Sequence, residues 1–220
     1  MAKASALRVR LPVVVLSLLA VLLPAWPGRA AAAAAPAVQQ LITVTAANYG
    51  TTYATLRVYQ VSGAQQTLVF GPWTGARVGY NGVARPGAKR EGDGKTPSGT
   101  YGLSFFFGVQ PNPGVSFPYL HAFSYDYWDD DSASPLYNEW VSGKANAGRN
   151  PEPMHQVPAY NYAAVIAYNT ARTPGLGSAI FLHVGTGGST AGCVSLPASQ
   201  LLAVLRWLKP SAKPRITITG

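Results

Sequence analysis

A mainly β domain with one substantial helix is what the sequence predicts, and three observations predict it. The 220 residues carry 23 Gly, 18 Pro and 12 Tyr, a mix of turn formers and β-favouring aromatics. Short apolar runs separated by turn residues recur along most of the chain. Only one stretch, ending at Lys209-Pro210, repeats its apolar residues near the helical period. Hydrophobic residues make up 48% and charged residues 11%, so the composition supplies a packed core and argues against disorder.

The elements follow in chain order. Leu41–Ala46, Thr55–Val61, Gln66–Phe70 and Arg77–Tyr80 read as strands. In Thr55–Val61 the residues Leu56, Val58 and Gln60 fall on one side, and Arg57, Tyr59 and Val61 on the other. Gly87 to Gly99 is a polar, turn-rich stretch punctuated by Gly92-Asp93-Gly94 and Pro97. Thr100–Val109 resumes a strand. Pro111 to Asn150 is a long irregular region rich in Tyr and Trp, of a length associated with lids and binding loops. Tyr162–Tyr168 and Ser178–Val184 read as buried strands. The helix starts with Pro197 at its first position, carries Leu201, Leu202, Val204, Leu205 and Leu208, and stops at Lys209-Pro210. Arg215–Thr219 is a closing strand.

Residues 1–35 have the layout of a secretory leader and an Ala-rich joint. Lys3, Arg8 and Arg10 precede the apolar run Leu11–Leu23, and small residues follow at Ala30–Ala35. The run is about 13 residues, short against the roughly 20 of a spanning helix, although a retained anchor is the rival reading. The expected division is therefore a leader at 1–35 and one mature domain at 36–220. The expected location is outside the cell, with no stable membrane insertion once the leader is cut. The whole chain has a formal charge of +9; without the leader, 13 basic residues face 8 acidic ones, a net of +5. Those basic residues are scattered, with no aromatic-plus-basic stripe of the nucleic-acid-binding kind. A mild positive field suits an anionic wall polymer or a carboxylate-bearing substrate.

The chemistry concentrates in residues 178–197. An apolar strand ends at His183, a loop of glycines and small hydroxyl residues follows, and the one cysteine of the chain, Cys193, stands beside Gly192 just ahead of the helix. A lone thiol in an exported protein is intermolecular, inert or reactive. A free thiol is only a few per cent thiolate at neutral pH, so nucleophilic use needs a nearby base or positive charge. The Gly-rich loop lets His183 fold back onto the sulfur, as proton acceptor or as partner in an ion pair. The helix N-terminus would favour the thiolate if aimed at it. Gly192 leaves room for a substrate backbone, and the amides of Gly192 and Cys193 are candidate oxyanion donors.

This stretch resembles the core of the L,D-transpeptidase (YkuD-like) catalytic domain, read here as His183…Ser189-Thr190-Ala191-Gly192-Cys193. Ala191 stands where the family usually has a second histidine, and Ser195 where it usually has Arg or Asn. A second segment, Gly94-Lys95-Thr96-Pro97-Ser98-Gly99-Thr100-Tyr101, is similar to the family's Gly-(Lys/Arg)-Thr-Pro-x-Gly-x-(Phe/Tyr), and is expected mainly to shape the fold. Asp130…Ser134-Pro135-Leu136-Tyr137-Asn138 and Tyr168-Asn169 also look like segments of one branch of the family. The resemblance covers about Arg85 to Leu208.

It implies a β-sandwich-like domain acting on peptidoglycan stem peptides, with no cofactor and no metal. Cys193 is the implied nucleophile and His183 the general base and then acid. Backbone amides near Gly192 hold the oxyanion, and Ser189 orients the loop. Tyr137, Asn138 and Ser195 are the expected substrate contacts, and a monomer is expected. The thioester passes to an amine in a 3→3 cross-link. Two alternatives stay open: water as acceptor, giving an L,D-carboxypeptidase, or a wall-binding module without turnover. Asp126, Asp129, Asp130 and Asp131 with Glu139 lack calcium-loop spacing and read as a solvated loop. Trp128, Tyr137, Trp140, Tyr160 and Tyr162 either line a cleft or pack the long loop. His121 and His155 read as structural or surface residues.

Overall fold

The computed structural model describes residues 38–220, so the expected leader at 1–35 lies outside the described residues. Fourteen strands and one α-helix follow in this order: β1 Gln40–Ala46, β2 Tyr53–Ser62, β3 Gln65–Arg77, β4 Val83–Ala84, β5 Thr96–Pro97, β6 Gly99–Gly108, β7 Tyr119–His121, β8 Asp126–Trp128, β9 Trp140–Ser142, β10 Glu152–Pro153, β11 Ala163–Ile166, β12 Phe181–Val184, β13 Val194–Leu196, α1 Ala198–Trp207 and β14 Arg215–Thr219. The domain is mainly β with one α-helix, as the sequence predicts. Its large mixed sheet runs β11-β12-β13-β3-β2-β1-β14-β6-β7 and closes on itself through a further β11–β6 pairing.

Alternation explains the first strands. β1 buries Ile42, Val44 and Ala46 on one face, and β2 buries Ala54, Leu56 and Val58. Gln60, assigned by the sequence to the same side, keeps that register opposite Gln40 of β1 but is exposed. The expected Gln66–Phe70 strand runs on past an irregularity in its pairing with β2, whereas the expected Arg77–Tyr80 strand does not form: only Arg77 belongs to β3, and Gly79 makes isolated bridges to Gly82 and Thr190. Gln66–Phe70 continues through Gly71 and Pro72 to Arg77, making the 13-residue β3.

The helix is one residue shorter at each end than its pattern suggests. Pro197 is the cap residue rather than the first helical one, and Leu208 is the C-cap. Leu201, Val204 and Leu205 face β12 and β13 and join the main core with Ile42, Leu56, Phe106 and Ile216. The irregular region 111–150 folds more than expected. It contributes β7, β8 and β9, and β8 takes β10 as a second partner to make a three-stranded sheet. That small sheet carries the chain from the long loop to the cavity described next.

Candidate active site

His183 lies on β12, which runs parallel to β13 with His183 opposite Ser195. Cys193 is the residue before β13. The strand therefore separates the thiol from α1, and the expected placement at a helix N-terminus is corrected: α1 begins five residues later, at Ala198. Both side chains line one cavity of about 200 Å³, with Glu152, Tyr160, Ser189 and Ser195 among its walls. Cys193 is 6% exposed and belongs to a core cluster with Phe181, Tyr160, Phe107 and Ala179.

Cys193 Sγ donates to the Ala179 carbonyl at 3.2 Å and accepts the Phe181 N–H at 3.3 Å. Burial pushes the thiol up, and the charge of Glu152 pushes it further. Burial pushes the His183 imidazole down, while the carbonyls of Val184 and Ala159 pull it back. At neutral pH the resting pair is a thiol and a neutral imidazole. His183 Nδ1 lies 2.9 Å from Val184 O. A carbonyl only accepts, so the ring proton sits on Nδ1 and Nε2 keeps the lone pair. The Tyr160 ring fixes the imidazole from the side, edge to face at 5.4 Å. Among the described residues no hydrogen bond joins the ring to the sulfur, so proton transfer requires a side-chain shift or a bridging group.

The two sequence motifs meet behind the thiol. Thr96 Oγ1 accepts the Gly79 N–H at 2.9 Å and donates to the Cys193 carbonyl at 3.1 Å. Thr190 Oγ1 donates to the same carbonyl at 2.6 Å. The segment expected to shape the fold thus also anchors the cysteine. Thr96→Val strands a buried N–H and removes one of two donors from the Cys193 carbonyl. It is expected to lower stability by about 1–3 kcal/mol, read by urea unfolding, and to slow acylation in parallel.

Gly192 lines the cavity and is closely packed on its other side. A Cβ there would lie 3.1 Å from Lys95 O and 3.4 Å from Ile180 Cδ1. Its N–H donates to Thr190 Oγ1 at 3.2 Å, so an oxyanion has to displace that contact. Ser189 and Ser195 reach the cavity. Ser195 also borders a neighbouring 280 Å³ cavity with Arg77, its register partner on β3.

Tyr137 and Asn138 are not brought to the Cys193 cavity, because other contacts occupy their polar atoms. Tyr137, 1% exposed, donates to Glu91 and accepts the Gly177 N–H at 3.0 Å. Asn138 Oδ1 accepts the Trp128 Nε1–H at 2.9 Å and the Ala179 N–H at 3.2 Å. It acts on the thiol at one remove, by holding the residue whose carbonyl takes the S–H. Trp128 and Trp140 border a different cavity with Asn138; Tyr160 alone of the aromatics considered lines this one.

The acidic loop is satisfied internally. Asp126 accepts from Phe123 N and Ser142 Oγ, and Asp131 from Ala133 N and Arg149 N. Ser178 Oγ lies 2.6 Å from Glu91 Oε2 and 2.8 Å from Asp130 Oδ1. One hydroxyl proton cannot serve two carboxylates. The second proton belongs to Asp130, pushed up to about 8 by burial and by Glu152.

The model of the YkuD family, the L,D-transpeptidase catalytic domain, matches residues 55–218. The chain belongs to this L,D-transpeptidase family. No curated protein and no solved structure matches it. Membership makes it an L,D-transpeptidase-type enzyme with peptidoglycan as its substrate. The match begins in β2 and ends in β14, so it takes in both motifs and the cavity, while β1 of the closed sheet lies outside it. Sequence reading missed Glu152. Its one visible signal is its setting, a lone carboxylate between Pro151 and Pro153.

Proposed function

We propose that this L,D-transpeptidase domain cuts and remakes an amide bond of the peptidoglycan stem through a thioester on Cys193. Support comes from one observation above all: the only thiol of the chain and the imidazole of His183 line the same small cavity. His183 Nε2 takes the thiol proton as sulfur attacks the carbonyl of the third stem residue. The imidazolium then protonates the leaving D-alanine. The acyl group passes to an amine of a second stem, giving a 3→3 cross-link. Residues 1–35 are read as an export leader on their sequence alone, which places this chemistry at the wall.

The test is product analysis. A stem tetrapeptide ending in D-alanine is incubated with and without a second stem bearing a free amine, and products and protein are weighed by mass spectrometry. Expected are an acyl adduct on the Cys193 peptide and a cross-linked dimer that requires the acceptor. Shortened stems alone, at every acceptor concentration, would replace this reading by a carboxypeptidase. Stem binding without any bond cleavage would leave a wall-binding module.

A further inference from the structure

The transfer step just proposed requires something that the Cys193–His183 pair does not supply: a place for the acceptor. An amine in water arrives as an ammonium ion, attracted by negative charge and unable to attack until it loses a proton. The cavity offers one carboxylate among its described lining residues, Glu152. β10 delivers it there by pairing with β8, Glu152 standing opposite Trp128.

The state of that carboxylate points to a ligand. Its two hydrogen bonds, from Tyr160 Oη and from Gln156 Nε2 (3.2 Å), both land on Oε1. Oε2 has no hydrogen-bond partner among the described residues and keeps some exposure, on a half-buried side chain that lines the cavity. An unpartnered carboxylate oxygen open to a cavity is a ready acceptor for a charged N–H donor. Nothing nearby compensates it: Lys89 is committed to Asp93 at 2.6 Å, and Arg77 borders the neighbouring cavity.

We propose that Glu152 is the acceptor subsite, its Oε2 receiving the ammonium of the incoming amine and taking the first proton from it. This inference rests on the thioester reading of Cys193. The ammonium hands one proton to the carboxylate, leaving a neutral amine and a carboxylic acid. The nitrogen lone pair forms the new C–N bond at the thioester carbon. The C–S bond breaks with its electron pair going to sulfur. The amine's second proton passes through His183 to that sulfur, and Glu152 later returns its proton to water. Burial holds the Glu152 carboxyl above its ordinary range, which makes its anion a stronger base than an exposed carboxylate. Neutralising Glu152 also removes the charge that opposes the Cys193 thiolate, so the thiolate becomes a better leaving group at the moment it must leave.

The test separates cationic from neutral acceptors on the same acyl-enzyme, using the full chain. The donor is a stem tetrapeptide, the cationic acceptor a second stem with a free side-chain amine, and the neutral acceptor hydroxylamine. Glu152→Gln is expected to acylate Cys193 at least as fast as wild type, because the charge opposing the thiolate is gone, and its acyl-enzyme is expected to form hydroxamate normally. Its dimer yield is expected to fall about tenfold or more, the fold-change of one lost charge-assisted hydrogen bond, with KM for the stem amine raised. Glu152→Asp is expected to recover part of the dimer. Normal hydroxamate together with normal dimer would overturn the proposal, and so would parallel loss of both, which marks a structural residue. Absence of any acyl-enzyme in wild type is a different result, and overturns the thioester reading together with this one.

Discussion

Cys193→Ala is expected to abolish acyl-enzyme formation outright, and His183→Gln to slow it by about 10²–10⁴-fold, the usual range for losing a positioned general base. The first effect is absolute because Cys193 is the only thiol in the chain. The second is partial because a fraction of thiolate remains available without the imidazole. The pH profile distinguishes these roles from structural ones. Burial lowers the His183 pKa, so the imidazole stays unprotonated to pH values below its ordinary 6.5. The acylation rate of the wild type is therefore expected to hold as pH falls through 6.5 and to decline only below it. At the alkaline end the raised thiol keeps Cys193 protonated, so wild type shows little gain as pH rises past the ordinary thiol range. His183→Gln, lacking the base, becomes dependent on hydroxide and gains rate steadily with pH. Stopped-flow acylation by a stem tetrapeptide or a carbapenem across pH 5–10 reads both limbs. A His183→Gln profile parallel to wild type would remove His183 from the proton path.

Local features were legible in the sequence; non-local ones were not. Arg215–Thr219 and the helix could be read because each element declares itself within a few residues. The Cys193 and Thr96 motifs could be placed in order, yet nothing in their spacing says that Thr96 Oγ1 bonds the Cys193 carbonyl. The closure of the sheet depends on β6 pairing with β11, some sixty residues away, and no periodicity encodes such a partner. Gln66–Phe70 reads as ending before Gly71 and Pro72, which are ordinary strand breakers, whereas here they sit at an irregularity inside β3. Tyr137 and Asn138 carried the look of substrate contacts because exposed and buried polar residues look alike in a string of letters. Glu152 is the reverse case. Its two-residue strand has no alternation to detect, and its meaning comes from the cavity that other segments build around it.

Gly79→Ala is expected to be strongly destabilising. Gly79 has an ordinary backbone conformation, so the argument concerns space alone. A Cβ there runs into the carbonyl oxygen of Gly94, and lies 2.8 Å from Lys95 Cα and 2.9 Å from Gly82 O. All three are backbone, so no side chain can rotate away, and the cost is expected to exceed about 3 kcal/mol. The segments forced apart are the ones that hold the thiol. Val78 O accepts the Thr190 N–H at 2.9 Å, Tyr80 N donates to Thr190 O at 2.8 Å, and Gly79 N donates to Thr96 Oγ1. Thr190 and Thr96 are the two donors to the Cys193 carbonyl. The variant should therefore lose acylation in conditions where it still folds, because its cysteine is no longer held against Ala179 and Phe181. Gly188→Ala is the matched control on the same catalytic loop: its Cβ meets nothing within 4 Å, and its stability should be unchanged. Urea unfolding of the two variants beside wild type, with acylation measured at low urea, tests both halves. A Gly79→Ala protein as stable as Gly188→Ala would mean that the Gly94–Lys95 backbone yields easily and that the latch between the motifs is soft.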